Sequence, residues 1–508
     1  MSNSVEGPSE PVTGSIPVPE YGLSTGPVPV PVPAPEPRER VFGAREQLAV
    51  WLLLASAFVV ILNETVMGVA LPKLMADLGI TAVAGQWLTT AFLLTMSVVI
   101  PITGLLIQRI NTRPLFIAAM SLFTLGTAIA ACAPGFELLL VGRIVQASGT
   151  AIMMPLLMTT VVTLVPEHQR GRIMGRIAIV MSVAPALGPT ISGLVLHSLN
   201  WRFLFIFVLP IAATALFIGM ARMPNVSEPR KIRIDLLSVL LSALAFGGLV
   251  YGLSLIGDVA HGAPPVPPAA PIGAGVVALG LFIWRQIVLQ RGDGALLDLR
   301  TFQSRPYALS VVLFVFSSMA LFGSLILLPI YAQTVLGLDT LGTGLLLLPG
   351  GLLMGLLGPW VGRLVDTRGA RFVLIPGTMV TALALWAMGL FTDTTTPWQV
   401  LGTHVLLSIG LAGVFTPLFS VSLGSLPPRL ASHGSAMIST VQQVAGAAGT
   451  ALFVTVMTLV SVQAAGGAAQ IDPHALSAGT RAAFLLGGAT ATVGVLIAFF
   501  VRDEAPKE

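Results

Sequence analysis

Residues Gly104–Arg113 read GLLIQRINTR, and residues Gly362–Arg371 read GRLVDTRGAR. Both follow G-x-L-x-(D/Q)-x-x-(G/N)-x-R, and each separates two long apolar runs. A second echo pairs RGRIMG, Arg170–Gly175, with HGSAMI, His433–Ile438, each opening an apolar run. A chain that repeats a charged loop between apolar runs is built as two similar halves, an arrangement typical of membrane-embedded chains with a site between the halves.

A helix needs about 20 apolar residues to cross the hydrocarbon core. Outward from the two loops, the runs place spans at about 47–71, 84–107, 115–133, 137–161, 172–196 and 203–221. Two more follow at about 236–257 and 271–290. The last six lie at about 307–332, 341–362, 372–391, 398–422, 434–461 and 482–501. The expected fold is an all-α polytopic membrane protein of fourteen transmembrane helices, two six-helix halves with two inserted central helices. The expected divisions are a proline-rich tail 1–46, an N-terminal half 47–221, a linker with the extra pair 222–306, a C-terminal half 307–501 and a tail 502–508.

Composition agrees. Of 508 residues, 55% are hydrophobic and 9% charged, with a mean hydropathy of +0.90. A soluble domain carries about 25% charge, so most of this surface must face lipid. The first 40 residues, with PVPVPVPAPEPRER at their end, have no apolar stretch of the signal-peptide kind. They read as a disordered, partly polyproline cytoplasmic tail. The lone Cys132 excludes an internal disulfide and a cysteine-built metal site. Its ordinary reading is a small buried hydrophobe.

The 26 Lys and Arg orient the spans. With both termini cytoplasmic, only Lys73, Arg202 and Arg481 fall outside, Arg143 lies within a span, and all others lie inside. This positive-inside bias supports an even span count. It also accounts for the net charge of +4 without nucleic acid as a partner. Arginine outnumbers lysine, which hints at a GC-rich bacterial source.

Four motifs carry a family resemblance over about residues 47–501. LNETVMGVALP, Leu62–Pro72, is similar to L-D-x-T-x-x-N-V-A-L-P. The loop at 104–113 and its copy are similar to G-x-L-x-D-R-x-G-R-K, RIVQASG at Arg143–Gly149 to R-x-x-Q-G, and ALGPTISG at Ala186–Gly193 to G-P-x-x-G. STVQQVAGAAGTA, Ser439–Ala451, adds support. In order and placement these resemble the major facilitator superfamily, specifically its fourteen-span drug:proton antiporters. Asn63 stands where that group has Asp and Glu64 follows it, a variant that resembles the lincomycin-resistance branch. The carboxylate is thereby turned about 100° around the helix. Gln108 replaces the loop Asp and Asn111 the loop Gly, so loop anchoring is expected of Asp366 and Arg371 in the second copy.

A charge at the bilayer centre costs about 2.5–3.5 kcal/mol on insertion scales. Glu64 and Arg143 are the residues for which that cost needs a function, with Glu137 and His197 nearer the outer ends. Both lie roughly 10 Å below the outer end of their spans at 1.5 Å per residue. The resemblance puts those spans beside one cavity. Glu64 is expected to carry a coupling proton and Arg143 to tune it, against the plainer reading of a permanent ion pair. Asn63, Gln146, Gln442 and Gln443 are candidate cavity residues, with helix–helix hydrogen bonding as the alternative. Gly188, Pro189 and Gly193 are a candidate gate, since proline bends a helix and glycine admits a close neighbour. Gly362, Asp366, Gly369 and Arg371 are the candidate cytoplasmic latch.

The sequence holds no G-x-x-x-x-G-K-[ST] nucleotide signature, no metal spacing among its six histidines and no nucleophile–base pair, so ATP-driven transport and an enzyme are not expected. The expectation is a monomeric exporter of small amphipathic drugs or antibiotics in a bacterial plasma membrane. It is driven by protons without a cofactor, with the bilayer as its surroundings. An exporter dedicated to one metabolite or self-made antibiotic stays open, as does a membrane channel or receptor.

Overall fold

Fourteen helices account for nearly all regular structure in the computed structural model, which describes residues 43–80, 82–226, 235–259, 266–292, 294–466 and 472–501. Residues 1–42 of the expected tail 1–46, and the tail 502–508, lie outside the described residues, and Ala44–Glu46 already belong to α1. The helices are α1 (Ala44–Leu78), α2 (Ala82–Arg109), α3 (Thr112–Ala131), α4 (Phe136–Leu164), α5 (Glu167–Ser198), α6 (Phe203–Arg222), α7 (Leu236–Val259), α8 (Ala269–Leu289), α9 (Arg305–Thr334), α10 (Thr340–Arg368), α11 (Ala370–Met388), α12 (Pro397–Gly424), α13 (Ala431–Ala464) and α14 (Pro473–Ala498). Each is long and apolar enough to cross a membrane. No strand occurs among the described residues.

Several helices overrun the apolar stretches that announce them. α1 begins before the expected span and continues to Leu78, where Gly79 at φ +62° supplies a left-handed C-cap. Helical hydrogen bonding need not stop where hydrophobicity does, because it satisfies the backbone in lipid and water alike.

Large apolar side chains face outward, among them Phe217, Leu236, Val277, Trp284, Trp360 and Leu383. Such a surface suits acyl chains and would aggregate in water. Small and polar residues turn inward instead. Ser56, Ser97, Thr103, Thr127, Ser192, Ser318 and Thr343 are all buried.

The two sets of six helices meet chiefly along α5–α10 and α2–α13, with further packing of α4 on α13 and α5 on α12. α7 packs on both α2 and α13, and on α8. Leu105 of α2, Phe246 of α7, Phe282 of α8, Leu296 and Leu297 of the following linker, and Met437 of α13 form one buried cluster. Gln286 of α8 accepts from the Leu296 and Leu297 amides at 2.7 and 3.2 Å and donates to Ser238 of α7 at 2.8 Å. Just before α7, Asp235 is held by a two-pronged contact from Arg285, at 2.6 and 2.8 Å. This contact lowers the Asp235 carboxyl to about 2. The inserted pair is thus pinned to the inner ends of α2 and α13.

Candidate functional site

Arg143 sits fully buried on α4. Its Nη1 donates to Asn63 Oδ1 on α1 at 3.2 Å and to Gln146 Oε1 at 2.7 Å. Gln146 lies three residues on, hence on the same helix face. Its Nε2 donates to Thr127 Oγ1 of α3 at 2.7 Å, and that hydroxyl donates to the Phe123 carbonyl at 2.7 Å. The guanidinium carbon stands 4.1 Å from the ring centroid of Phe92 on α2. Residues of α1, α2 and α4 therefore meet the cation with two oxygens and an aromatic face, and α3 steadies one of those oxygens through Gln146, which offsets part of the cost of burying it.

Glu64 follows Asn63 on α1 and takes a different direction. It lines a central cavity of about 180 Å³ with Thr65, Met154 and Met181 from the first six helices, and Phe322, Met354 and Phe419 from the last six. Glu64 is the one carboxylate among the described lining residues. It shares a charge–charge interaction with Arg143 but makes no direct ion pair with it. The 100° between consecutive helical residues separates the roles: Asn63 holds the cation and Glu64 faces the open space.

Gln442 and Gln443 line this cavity, whereas Asn63 and Gln146 do not. Of the four candidate cavity residues, the latter two follow the hydrogen-bonding alternative instead, their amide oxygens both engaged by Arg143. Polar lining residues beyond the sequence reading include Ser324 of α9, His404 and Ser408 of α12, and Ser435 of α13. The only signal was a polar residue inside an apolar run, and a neutral histidine does not register as a charge.

Gly188 packs on α1 so closely that a Cβ there would overlap the Thr65 hydroxyl. Pro189 lines the cavity. A Cβ on Gly193 would stand 2.8 Å from the Thr340 carbonyl of α10, and Thr190 Oγ1 donates to the Gly344 carbonyl at 3.0 Å. The segment 188–193 therefore wedges α5 between α1 and α10.

The repeated loops pair crosswise with the second echo. Gln108 of the first loop donates to Ser432 Oγ at 3.1 Å and contacts His433 Nε2 at 2.9 Å, both on α13. A Cβ on Gly104 would stand 3.2 Å from that of Ala436. On the other side, Gly175 of α5 meets Pro359 of α10. Met96 and Ile100, which line the cavity on α2, lie on the outer side of the Gly104 contact. The α2–α13 contact therefore floors the cavity toward the cytoplasm. Gly362 is buried on α10, and Gly369 ends that helix at φ +84°. Asp366 has no hydrogen bond or ion pair among the described residues. Arg371 follows in the first turn of α11, so the four candidate latch residues lie along the end of α10 and the start of α11. The anchoring contact on the described side comes from Gln108, because a carboxamide can bridge a hydroxyl and an imidazole without a charge.

The sequence profile described as Major Facilitator Superfamily matches residues 53–450. The chain is 40% identical to the lincomycin resistance protein LmrB of Listeria monocytogenes over 453 residues, covering 88% of this chain and 95% of that protein. It is 29% identical to the multidrug resistance protein B homolog of Mycobacterium tuberculosis over 401 residues, 78% of this chain and 73% of that one. Among solved structures, the human organic anion transporter MFSD10 (TETRAN) superposes with a TM-score of 0.64 at 17% identity, covering 90% of this chain and 100% of that chain, a likeness of fold.

Proposed function

Because this chain belongs to the Major Facilitator Superfamily, and is therefore a multi-pass plasma-membrane transporter of small molecules and not an enzyme, we propose that it exports amphipathic drugs in exchange for protons. The relatives named for lincomycin and multidrug resistance support the drug class. The observation that carries the exchange is Glu64: the one carboxylate among the described residues lining a mostly apolar cavity, near Arg143 but not tied to it. A carboxylate free of a direct partner can take a proton from one side and yield it to the other as the cavity changes access. Arg143, fixed by Asn63 and Gln146, supplies a constant positive charge beside it. The Gly188–Gly193 wedge seals between half-cycles, and a single chain suffices for the cycle.

The driving force is adequate. One charge crossing 100 mV yields about 2.3 kcal/mol, or roughly fifty-fold accumulation. In proteoliposomes with an imposed pH gradient, Glu64→Gln is expected to reach the membrane at normal levels and lose gradient-driven export. Normal drug-dependent proton release from that variant would remove Glu64 from the cycle.

A further inference from the structure

The cavity wall is unequally furnished. On α1 and α4 the lining hydroxyls are already used: Thr65 Oγ1 donates to the Ile61 and Leu62 carbonyls, and Thr150 Oγ1 to that of Gln146. Glu64 is then the polar group of that wall without a direct partner. On α9, α12 and α13, four buried polar atoms have no partner among the described residues: Ser324 Oγ, His404 Nδ1, Ser435 Oγ and Gln443 Oε1. Buried polar atoms are nearly always paired, so four unspent atoms around one cavity are expected to find partners in what enters it.

His404 is the most sharply defined of the four. Its Nε2 lies 3.1 Å from the Leu347 carbonyl of α10. A carbonyl only accepts, so Nε2 carries the hydrogen and Nδ1 of the neutral ring is a bare acceptor. The ring is held in place: a Cβ on Gly350 would stand 2.5 Å from Cδ2, so α10 offers the imidazole a glycine-sized slot. A ring locked at one nitrogen presents the other in a fixed direction.

We propose that His404, with Ser324 and Gln443, recognises the polar part of the substrate, an assignment that rests on the export reading. The ligand class is an amphipathic molecule carrying hydroxyl or ammonium donors, since the unspent nitrogen and amide oxygen accept. Its apolar remainder lies against the methionine and phenylalanine wall. The two halves then divide the work, with proton exchange on α1 and substrate recognition on α9, α12 and α13.

Two probes test this in proteoliposomes. Lincomycin carries hydroxyl and ammonium donors, and tetraphenylphosphonium is an apolar cation with none. His404→Gln keeps a donor for the Leu347 carbonyl and loses the acceptor at the Nδ1 position. His404→Asn keeps an acceptor near that position. For lincomycin, His404→Gln is expected to raise KM about tenfold with kcat little changed, and His404→Asn to recover much of the loss. Tetraphenylphosphonium transport is expected to stay at the wild-type level in both. Equal losses for both probes, or an unchanged lincomycin KM, would overturn the recognition role while leaving export standing. If the wild type moves neither probe, the export reading falls and this assignment falls with it.

Discussion

Arg143 donates to the carboxamide of Asn63 at 3.2 Å, while Glu64, the next residue of α1, opens onto the cavity. One helical step thus separates a structural contact from an exposed carboxylate. The family's usual order, with the acid at the position of Asn63, would direct the carboxylate at the arginine. Exchanging the two residues, Asn63→Asp with Glu64→Asn, is therefore expected to create a buried ion pair and to shift drug-dependent proton release to lower pH, since the arginine favours the charged carboxylate. Proton release measured with a pH dye in proteoliposomes checks this, and a wild-type pH dependence in the exchanged protein would refute it.

The Thr65 hydroxyl fills the space that a side chain at Gly188 would need between α5 and α1. Gly188→Ala is expected to destabilise the protein by about 1–3 kcal/mol, as overpacking does, and to let protons leak. Thr65→Ala removes the overlapping hydroxyl, so the double variant is expected to regain much of the stability. Melting in detergent measures the coupling between the two sites, and strictly additive losses would separate them.

The Gln108 contacts with Ser432 and His433 exist only while the inner ends of α2 and α13 are together. Gln108→Ala removes hydrogen bonds worth about 0.5–1.5 kcal/mol each from that conformation alone. Together they amount to about 1–3 kcal/mol, so a shift toward the inward-open form of roughly five- to 150-fold follows. In a Cys132→Ala background, Ser439→Cys on the cavity wall is expected to react faster with an impermeant thiol reagent from the cytoplasmic side. Unchanged labelling would show that the bridge does not hold the gate.

Asp235 gives a pH dependence of known sign. Its carboxyl is lowered to about 2 by the Arg285 guanidinium, from an ordinary 3.8. A group depressed in the folded state contributes stability that is fully present above its ordinary value and is lost as pH falls toward the folded value. The melting temperature in detergent is expected to lose this contribution between about pH 4 and pH 2. Asp235→Asn is expected to melt lower at pH 7 and to show a smaller acid-induced drop. Parallel curves for the two proteins would exclude the pair as the source.

Fourteen helices were legible in the sequence because the bilayer demands about 20 apolar residues per crossing and penalises each charge within it. The same penalty marked Glu64 and Arg143 without any view of their neighbours. The crosswise pairing of loop and echo was not legible, since Gln108 and His433 stand far apart along the chain and meet only through the packing of α2 on α13. Nor was the direction of any polar side chain. Asn63 and Gln146 turned to Arg143, Glu64 turned to the cavity, and His404 entered a slot that Gly350 leaves in another helix. Hydrophobicity sets which segments cross the membrane, and it is nearly blind to rotation about a helix axis. That rotation is decided by contacts between distant segments, so the tertiary structure alone determined which residues share the site.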